Sequence, residues 1–306
     1  MTIEHIPSRK GIGLRSLLGR RMARKAGRSS LSPGIDAAHA RARMDKAGRQ
    51  LPMPKGVAVT TITKGGISGL GFAPDEARRG TLVYLHGGGY SRGSALSHRA
   101  LVARMSKAFG LKAVSINYRM APEHPCPAAI EDAVAAIRAV MADEKGPVIL
   151  SGDSAGGGLA LAATLRLRDA GERMPDALYL LSPWTDLSMS GESVRSKADR
   201  DPMLNPDYLG AGGQLYLGGR PGNDPEASPL FADLKGLPPT LIQVGSDEIL
   251  LSDSTRLAEK LEAEGVPVDC EIWDGMWHDF QIFSPLIPEA DWAIDRARVW
   301  VELHLA

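Results

Sequence analysis

The chain has 306 residues, 43% hydrophobic and 24% charged, which suits a soluble globule holding one large α/β core or two smaller ones. Lys+Arg and Asp+Glu balance at 36 each, so no net field favours nucleic acid or an acidic partner. The longest apolar stretches, around 155–165 and 177–181, are too short to span a bilayer, and no stable membrane insertion is expected.

From the amino terminus, Arg15, Arg20, Arg21, Arg24, Lys25 and Arg28 follow Arg9 and Lys10, with no acid between Glu4 and Asp36. Ile12, Leu14, Leu17, Leu18 and Met22 are interspersed, so the spacing predicts one or two basic amphipathic helices. Such a stretch can serve as a membrane-surface anchor, an organelle presequence or a mobile cap. The plainer reading is a helical extension packed on the main domain. Residues 1–50 are therefore read as an N-terminal helical cap or extension, and 51–306 as the main domain. The terminus has no apolar run followed by a small-residue cleavage site. The two cysteines, Cys126 and Cys270, offer neither a disulfide framework nor metal-ligand spacing. Both features point to the cytoplasm and to no metal.

From residue 57 onward strand-like and helix-like segments alternate. Runs 57–63 and 67–72, joined by Gly65-Gly66, suit an antiparallel edge hairpin. Strands follow at 81–85, 113–117, 148–150, 177–181, 240–244 and 268–273, with helices at 97–109, 128–141, 159–167, 252–264 and 289–303. This rhythm predicts an α/β fold with a mostly parallel sheet covered on both faces, and chemistry at the carboxyl ends of the strands. One segment breaks the pattern. Residues 185–229, rich in Gly, Pro, Ser and Asp with helical pieces near 206–216, read as an insertion contributing to a lid.

Residues 150–167 read LSGDSAGGGLALAATLRL, placing Ser154 where a strand turns abruptly into a helix. Gly152 and Gly156 complete G-x-S-x-G, the pattern that a strained turn presenting a nucleophile requires. A phosphate cradle is the competing use of such glycines, and no Gly-Lys-Ser/Thr follows either cluster to support it. A serine needs a base, usually a histidine held by a carboxylate. Of the seven histidines, His278 alone follows a late strand in a loop, DGMWHDF at 274–280. The strand at 240–244 runs into Gly245-Ser246-Asp247-Glu248. Asp247, first into the loop, is taken as the acid, with Glu248 as its competitor. The order Ser154, Asp247, His278 is the one an α/β-hydrolase requires. His86-Gly87-Gly88-Gly89 follows the first central strand, and bare glycines let main-chain N–H groups approach a substrate oxygen. Gly87, Gly88 and Ala155 are the expected oxyanion donors.

With HGGG at 86–89, GDSAGGG at 152–158, GSDEIL at 245–250 and WHDF at 277–280, the chain resembles the hormone-sensitive-lipase-related α/β-hydrolase carboxylesterases. YRMAPEHPCPAA at 118–129 and SPWTDLS at 182–188 fit the same family, and the likeness runs over about residues 70–305. The resemblance implies Ser154 as nucleophile, His278 as general base then acid, and Asp247 as its orienter. It also implies short-chain acyl esters, lactones or aryl esters as substrates, no cofactor, and a cytoplasmic homodimer. Tyr90 and Trp184 are candidates for the acyl pocket. Two positions depart from the family: Cys126 where an aromatic is common, and Arg92 where a small or apolar residue is. A solvated Arg92 is the plainer reading, against one that meets a polar substrate. Two further functions compete with ester hydrolysis: an amide or formamide hydrolase, and a ligand-binding receptor on the same fold. The receptors of this family lack the catalytic histidine, and His278 is present.

Overall fold

A computed structural model of the chain describes residues 2–7, 13–31 and 36–304. The first half comprises β1 (Thr2–Ile6), α1 (Leu14–Ser30), α2 (Ala37–Gln50), β2 (Val57–Lys64), β3 (Ile67–Pro74), β4 (Thr81–Leu85), α3 (Arg99–Phe109), β5 (Lys112–Ile116) and α4 (Ala128–Asp143). The second comprises β6 (Val148–Asp153), α5 (Ala155–Asp169), β7 (Ala177–Leu181), α6 (Ser193–Ser196), α7 (Pro206–Leu217), β8 (Thr240–Gly245), α8 (Leu251–Ala263), β9 (Val268–Trp273) and α9 (Pro288–His304).

The strands form one nine-stranded sheet in the order β1-β9-β8-β7-β6-β4-β5-β3-β2. Pairing is parallel from β1 through β5, while β3 runs antiparallel to both β5 and β2. The expected edge hairpin is therefore present, with Gly65 and Gly66 supplying the positive φ of its turn. Every residue of β4, β6, β7 and β8 is buried, because helices cover both faces. Alternate residues feed opposite cores. Val83, Leu85, Val148 and Leu150 pack with α4, α5 and α8, while Leu82, Tyr84 and Ile149 pack with α3 and α9. The carboxyl ends of β4, β6, β8 and β9 lead into the HGGG loop, the serine turn, the 246–250 loop and the His278 loop.

The amino-terminal fifty residues hold a strand as well as the two helices α1 and α2. Residues 2–6 add a strand to the main sheet, in parallel register from Thr2↔Asp269 to Ile6↔Trp273. Five residues are too few to show a period against the basic pattern that follows them. The helices α1 and α2 do form, although Arg9, Lys10 and Ile12 lie outside the described residues. Helix α1 buries Ser16, Gly19, Ala23, Gly27 and Ser30 rather than its leucines. Small side chains let its backbone come close to the body. A β-carbon at Gly19 would lie 2.7 Å from Ile287 and 3.1 Å from Trp277.

The 185–229 segment holds α6 and α7. Asn205 caps α7 by accepting the Tyr208 N–H at 2.8 Å, and Pro206 occupies the first turn, which explains why the helix starts there. The helix brings Tyr208 against Gly89 of the HGGG loop, where a β-carbon would stand 2.8 Å from the phenol oxygen.

Candidate active site

Ser154 lies between β6 and α5 with φ 54° and ψ −122°, a conformation that costs an L-residue strain. The surroundings enforce it. The Ser154 N–H donates to Leu181 O at 2.9 Å, and its carbonyl accepts from Gly157, Gly158 and Trp184 N–H. Both flanking glycines are required by close backbone approach: a β-carbon at Gly152 would fall on the Gly156 carbonyl, and one at Gly156 on the Leu85 carbonyl. The side chain thus stands at the carboxyl end of the sheet and the amino end of a helix.

His278 is buried, and its Nδ1 lies 3.1 Å from Oε1 of Glu248. The other oxygen of Glu248 accepts from Ser182 Oγ and from Gly245 N–H, each at 2.8 Å. The sequence-based choice of Asp247 as this carboxylate is corrected by its position. Asp247 pairs instead with Arg20 of α1 at 3.0 Å and with Arg200 of the insertion at 2.8 Å. The turn after β8 causes the exchange: the Asp247 N–H donates to Met276 O, and the next side chain folds back under the strand end.

The second face of the imidazole is also occupied. Asp279 Oδ2 lies 2.9 Å from His278 Nε2, and Asp279 itself sits at positive φ, 52°. Burial alone would push the imidazole pKa down, but the carboxylates of Asp279 and Glu248 outweigh it and hold His278 well above its usual range. Burial pushes the Asp279 carboxyl up to about 7, against the pull of His278 and reinforced by the negative Asp153. The Asp279 carboxylate therefore favours the protonated imidazole. Among the described residues no hydrogen bond joins Ser154 to His278.

The expected oxyanion donors separate into two groups. The Gly87 N–H is taken, donating to Asp153 Oδ1 at 2.9 Å. Among the described residues no hydrogen bond engages the N–H groups of Gly88, Gly89 or Ala155. Gly88 and Gly89 have φ of 122° and 62°, which turns this stretch of backbone as only glycine does without strain. Asp153 was not read as functional from sequence. It accepts from Tyr84 Oη at 2.6 Å and meets His98 Nε2 at 3.2 Å, so it ties the serine turn to the glycine loop. Burial opposes its charge, but His98, Tyr84 and the Gly87 N–H hold its carboxyl down at about 2, and it in turn raises His98. The signal available was an acid directly before the nucleophile. His86 stacks on Tyr118, and burial drives its pKa down to about 3, so it is a neutral strut.

Tyr90 and Trp184 are both buried, with Tyr90 stacked on Tyr216 at 3.7 Å between centroids. They pack behind Ser154, where a β-carbon at Gly158 would meet the Tyr90 hydroxyl and the Trp184 carbonyl. Arg92 is not solvated. It is buried, donates to the Ser30 carbonyl at the end of α1, and lies 4.9 Å over the Tyr208 ring. Its cation thus joins the N-terminal helix, the glycine loop and the insertion.

Known proteins resemble this chain in sequence and in fold. A family model described as the alpha/beta hydrolase fold matches residues 82–282. An esterase of Acinetobacter venetianus is 40% identical over 82% of this chain and 84% of its own. An acetyl-hydrolase of Streptomyces hygroscopicus is 41% identical over 83% and 85%. Among solved structures, an esterase from the bacterial hormone-sensitive lipase family superposes with a TM-score of 0.91 at 37% identity, covering 96% of this chain and 99% of that one. With fold, strand-end loops and sequence all in agreement, the chain belongs to the alpha/beta-hydrolase family, in its hormone-sensitive-lipase branch.

Proposed function

We propose that the chain hydrolyses carboxylic esters through an acyl-enzyme on Ser154, with His278 as general base and then acid. In this reading Glu248 is the carboxylate that fixes the imidazole, and Gly88, Gly89 and Ala155 donate to the oxyanion. The observation that carries the reading is the buried His278–Glu248 hydrogen bond of 3.1 Å, tied through Ser182 to the strand end that holds the Ser154 N–H. A ligand-binding receptor on this fold has no use for that pair. The named relatives, an esterase and an acetyl-hydrolase, agree with a carboxylic ester hydrolase.

The steps follow from the atoms. Substrate entry replaces Asp279 by the serine hydroxyl as the partner of His278 Nε2, and the proton on Nε2 leaves on the Asp279 carboxyl, so that Nε2 is free to act as base. As Ser154 Oγ attacks the ester carbonyl, its proton passes to Nε2, and the carbonyl oxygen becomes an anion stabilised by the free N–H groups. Glu248, negative and bonded to Nδ1–H, favours the imidazolium so formed. The tetrahedral adduct collapses, the Nε2 proton leaves on the alcohol, and the acyl group stays on Ser154. Water then repeats the sequence with His278 again as base, releasing the acid and regenerating the serine.

Short-to-medium acyl groups are the proposed substrates, supported by Tyr90 and Trp184 filling the space behind Ser154 and by the acetyl-hydrolase relative. Cys126 and Cys270 are both free and buried, in keeping with a cytoplasmic protein, and the family resemblance favours a homodimer. A fluorophosphonate should add to Ser154 with loss of activity. Ser154→Ala and His278→Ala should each lower kcat by roughly 10³-fold or more with the fold retained. Turnover persisting in either variant defeats the assignment. A panel of acyl esters against anilides separates an esterase from an amidase.

A further inference from the structure

Helix α1 presents two unlike faces, and the inner one is spoken for. Its small residues lie on the body, and Arg20 reaches from it to Asp247 and towards Gly275 O in the His278 loop. Among the described residues, the outer face carries the helix's large apolar side chains open to solvent. Leu14 is 75% exposed, Leu17 48%, Leu18 48% and Met22 46%, four of the nine large hydrophobic side chains left open to solvent among the described residues. Their spacing puts them on one side of the helix, opposite Gly19 and Ala23. Continuing the same side toward the carboxyl end, and bordering the leucines, are the exposed cations Arg15, Arg21, Arg24 and Lys25. The helix carries no acid at all.

We propose that this face of α1 is a docking surface for an anionic lipid bilayer, on which the helix lies flat. Charge decides between occupants. A second copy of the chain meeting this face by two-fold symmetry would bring the two sets of cations together, which like-charge repulsion opposes. An interface of negative headgroups over acyl chains satisfies both halves: leucines and Met22 enter the chain boundary, while the arginines and Lys25 meet the headgroups. No described helix is long and apolar enough to cross a membrane, so the contact is peripheral. Because the inner face of the helix touches the loops bearing Glu248 and His278, docking would set the site beside the surface where acyl esters partition. The docking itself does not depend on the esterase assignment.

The test is flotation of the full chain with vesicles of phosphatidylcholine containing about a third phosphatidylglycerol, against vesicles of phosphatidylcholine alone. Binding should require the anionic lipid and weaken as salt rises. Leu17→Ser combined with Leu18→Ser should reduce it at least about tenfold, since both side chains are exposed and their loss leaves the core intact. Each of Arg21→Gln, Arg24→Gln and Lys25→Gln should reduce it on the order of fivefold. Hydrolysis of a water-soluble ester should be unchanged in all of them, so a loss of vesicle binding is distinguishable from a damaged active site. No binding of the parent chain to anionic vesicles overturns the proposal. So does equal binding by the double serine variant, or an oligomer in light scattering that this variant dissolves.

Discussion

Asp247 and Glu248 are neighbours with the same charge, yet the fold gives them different work. Glu248 has every oxygen committed to His278, Ser182 and the Gly245 N–H, whereas Asp247 holds two arginines that anchor α1 and the insertion. Glu248→Gln should therefore lower kcat by roughly 10²- to 10⁴-fold, because the neutral amide no longer favours the imidazolium. Asp247→Asn should change kcat less than about tenfold while costing about 1–2 kcal/mol of stability, read by thermal melting. The reverse ranking would restore Asp247 as the triad acid. Sequence could narrow the acid to this pair but not choose, since the choice depends on a turn that sends one side chain back under β8. Asp279 makes a second prediction at this scale. Catalysis needs Nε2 unprotonated, and Asp279 favours the protonated ring, so kcat/KM should climb as pH rises through the neutral range. Asp279→Asn removes that charge, and the acid limb of the profile should move about one pH unit lower. An unmoved limb would show that the carboxylate leaves Nε2 when substrate binds without affecting its proton.

The elements nearest the chemistry were the most legible. Gly152 and Gly156 announced the serine turn because no other residue fits beneath the Leu85 and Gly156 carbonyls, and a sharp backbone constraint leaves a sharp sequence mark. The parallel strands were equally plain, being continuous apolar runs bounded by turn residues. The glycine loop was found, but its register was not. Gly87 spends its N–H on Asp153, which shifts the free donors to Gly88 and Gly89, and nothing in three identical letters could reveal that. Side-chain networks joining distant elements left weaker traces. Asp153 and His98 are separated by 55 positions, and nothing in the local sequence of either points to the other. Helix α1 was visible as a basic amphipathic segment, but which face it buries depends on Trp277 and Ile287, far along the chain.

Across the whole molecule, the amino-terminal segment is fastened to the loops around the site, where Ser154 is only 4% and His278 only 2% exposed. Arginines fasten it: Arg20 to Asp247, Arg41 of α2 to Glu123 and the Ser91 and Ala121 carbonyls, and Arg92 back to Ser30. The strand β1 fastens it from the other side. Ile6 is buried with Trp273, Met276 and Trp277, and its carbonyl accepts the Asp274 N–H at 3.0 Å, at the root of the loop that ends in His278. A strand whose register and apolar anchor support the base should matter to turnover as well as to stability. Ile6→Asp places an unpaired charge in that cluster and should cost about 3–5 kcal/mol, lowering the melting temperature. At temperatures where the variant remains folded, kcat for a soluble ester should still fall, because the His278 loop loses its support. Ile6→Val keeps the apolar contact and the strand, and should stay close to the parent chain in both measurements. Full kcat in a folded but destabilised Ile6→Asp chain would reduce β1 to an edge cover for β9, with no part in holding the histidine.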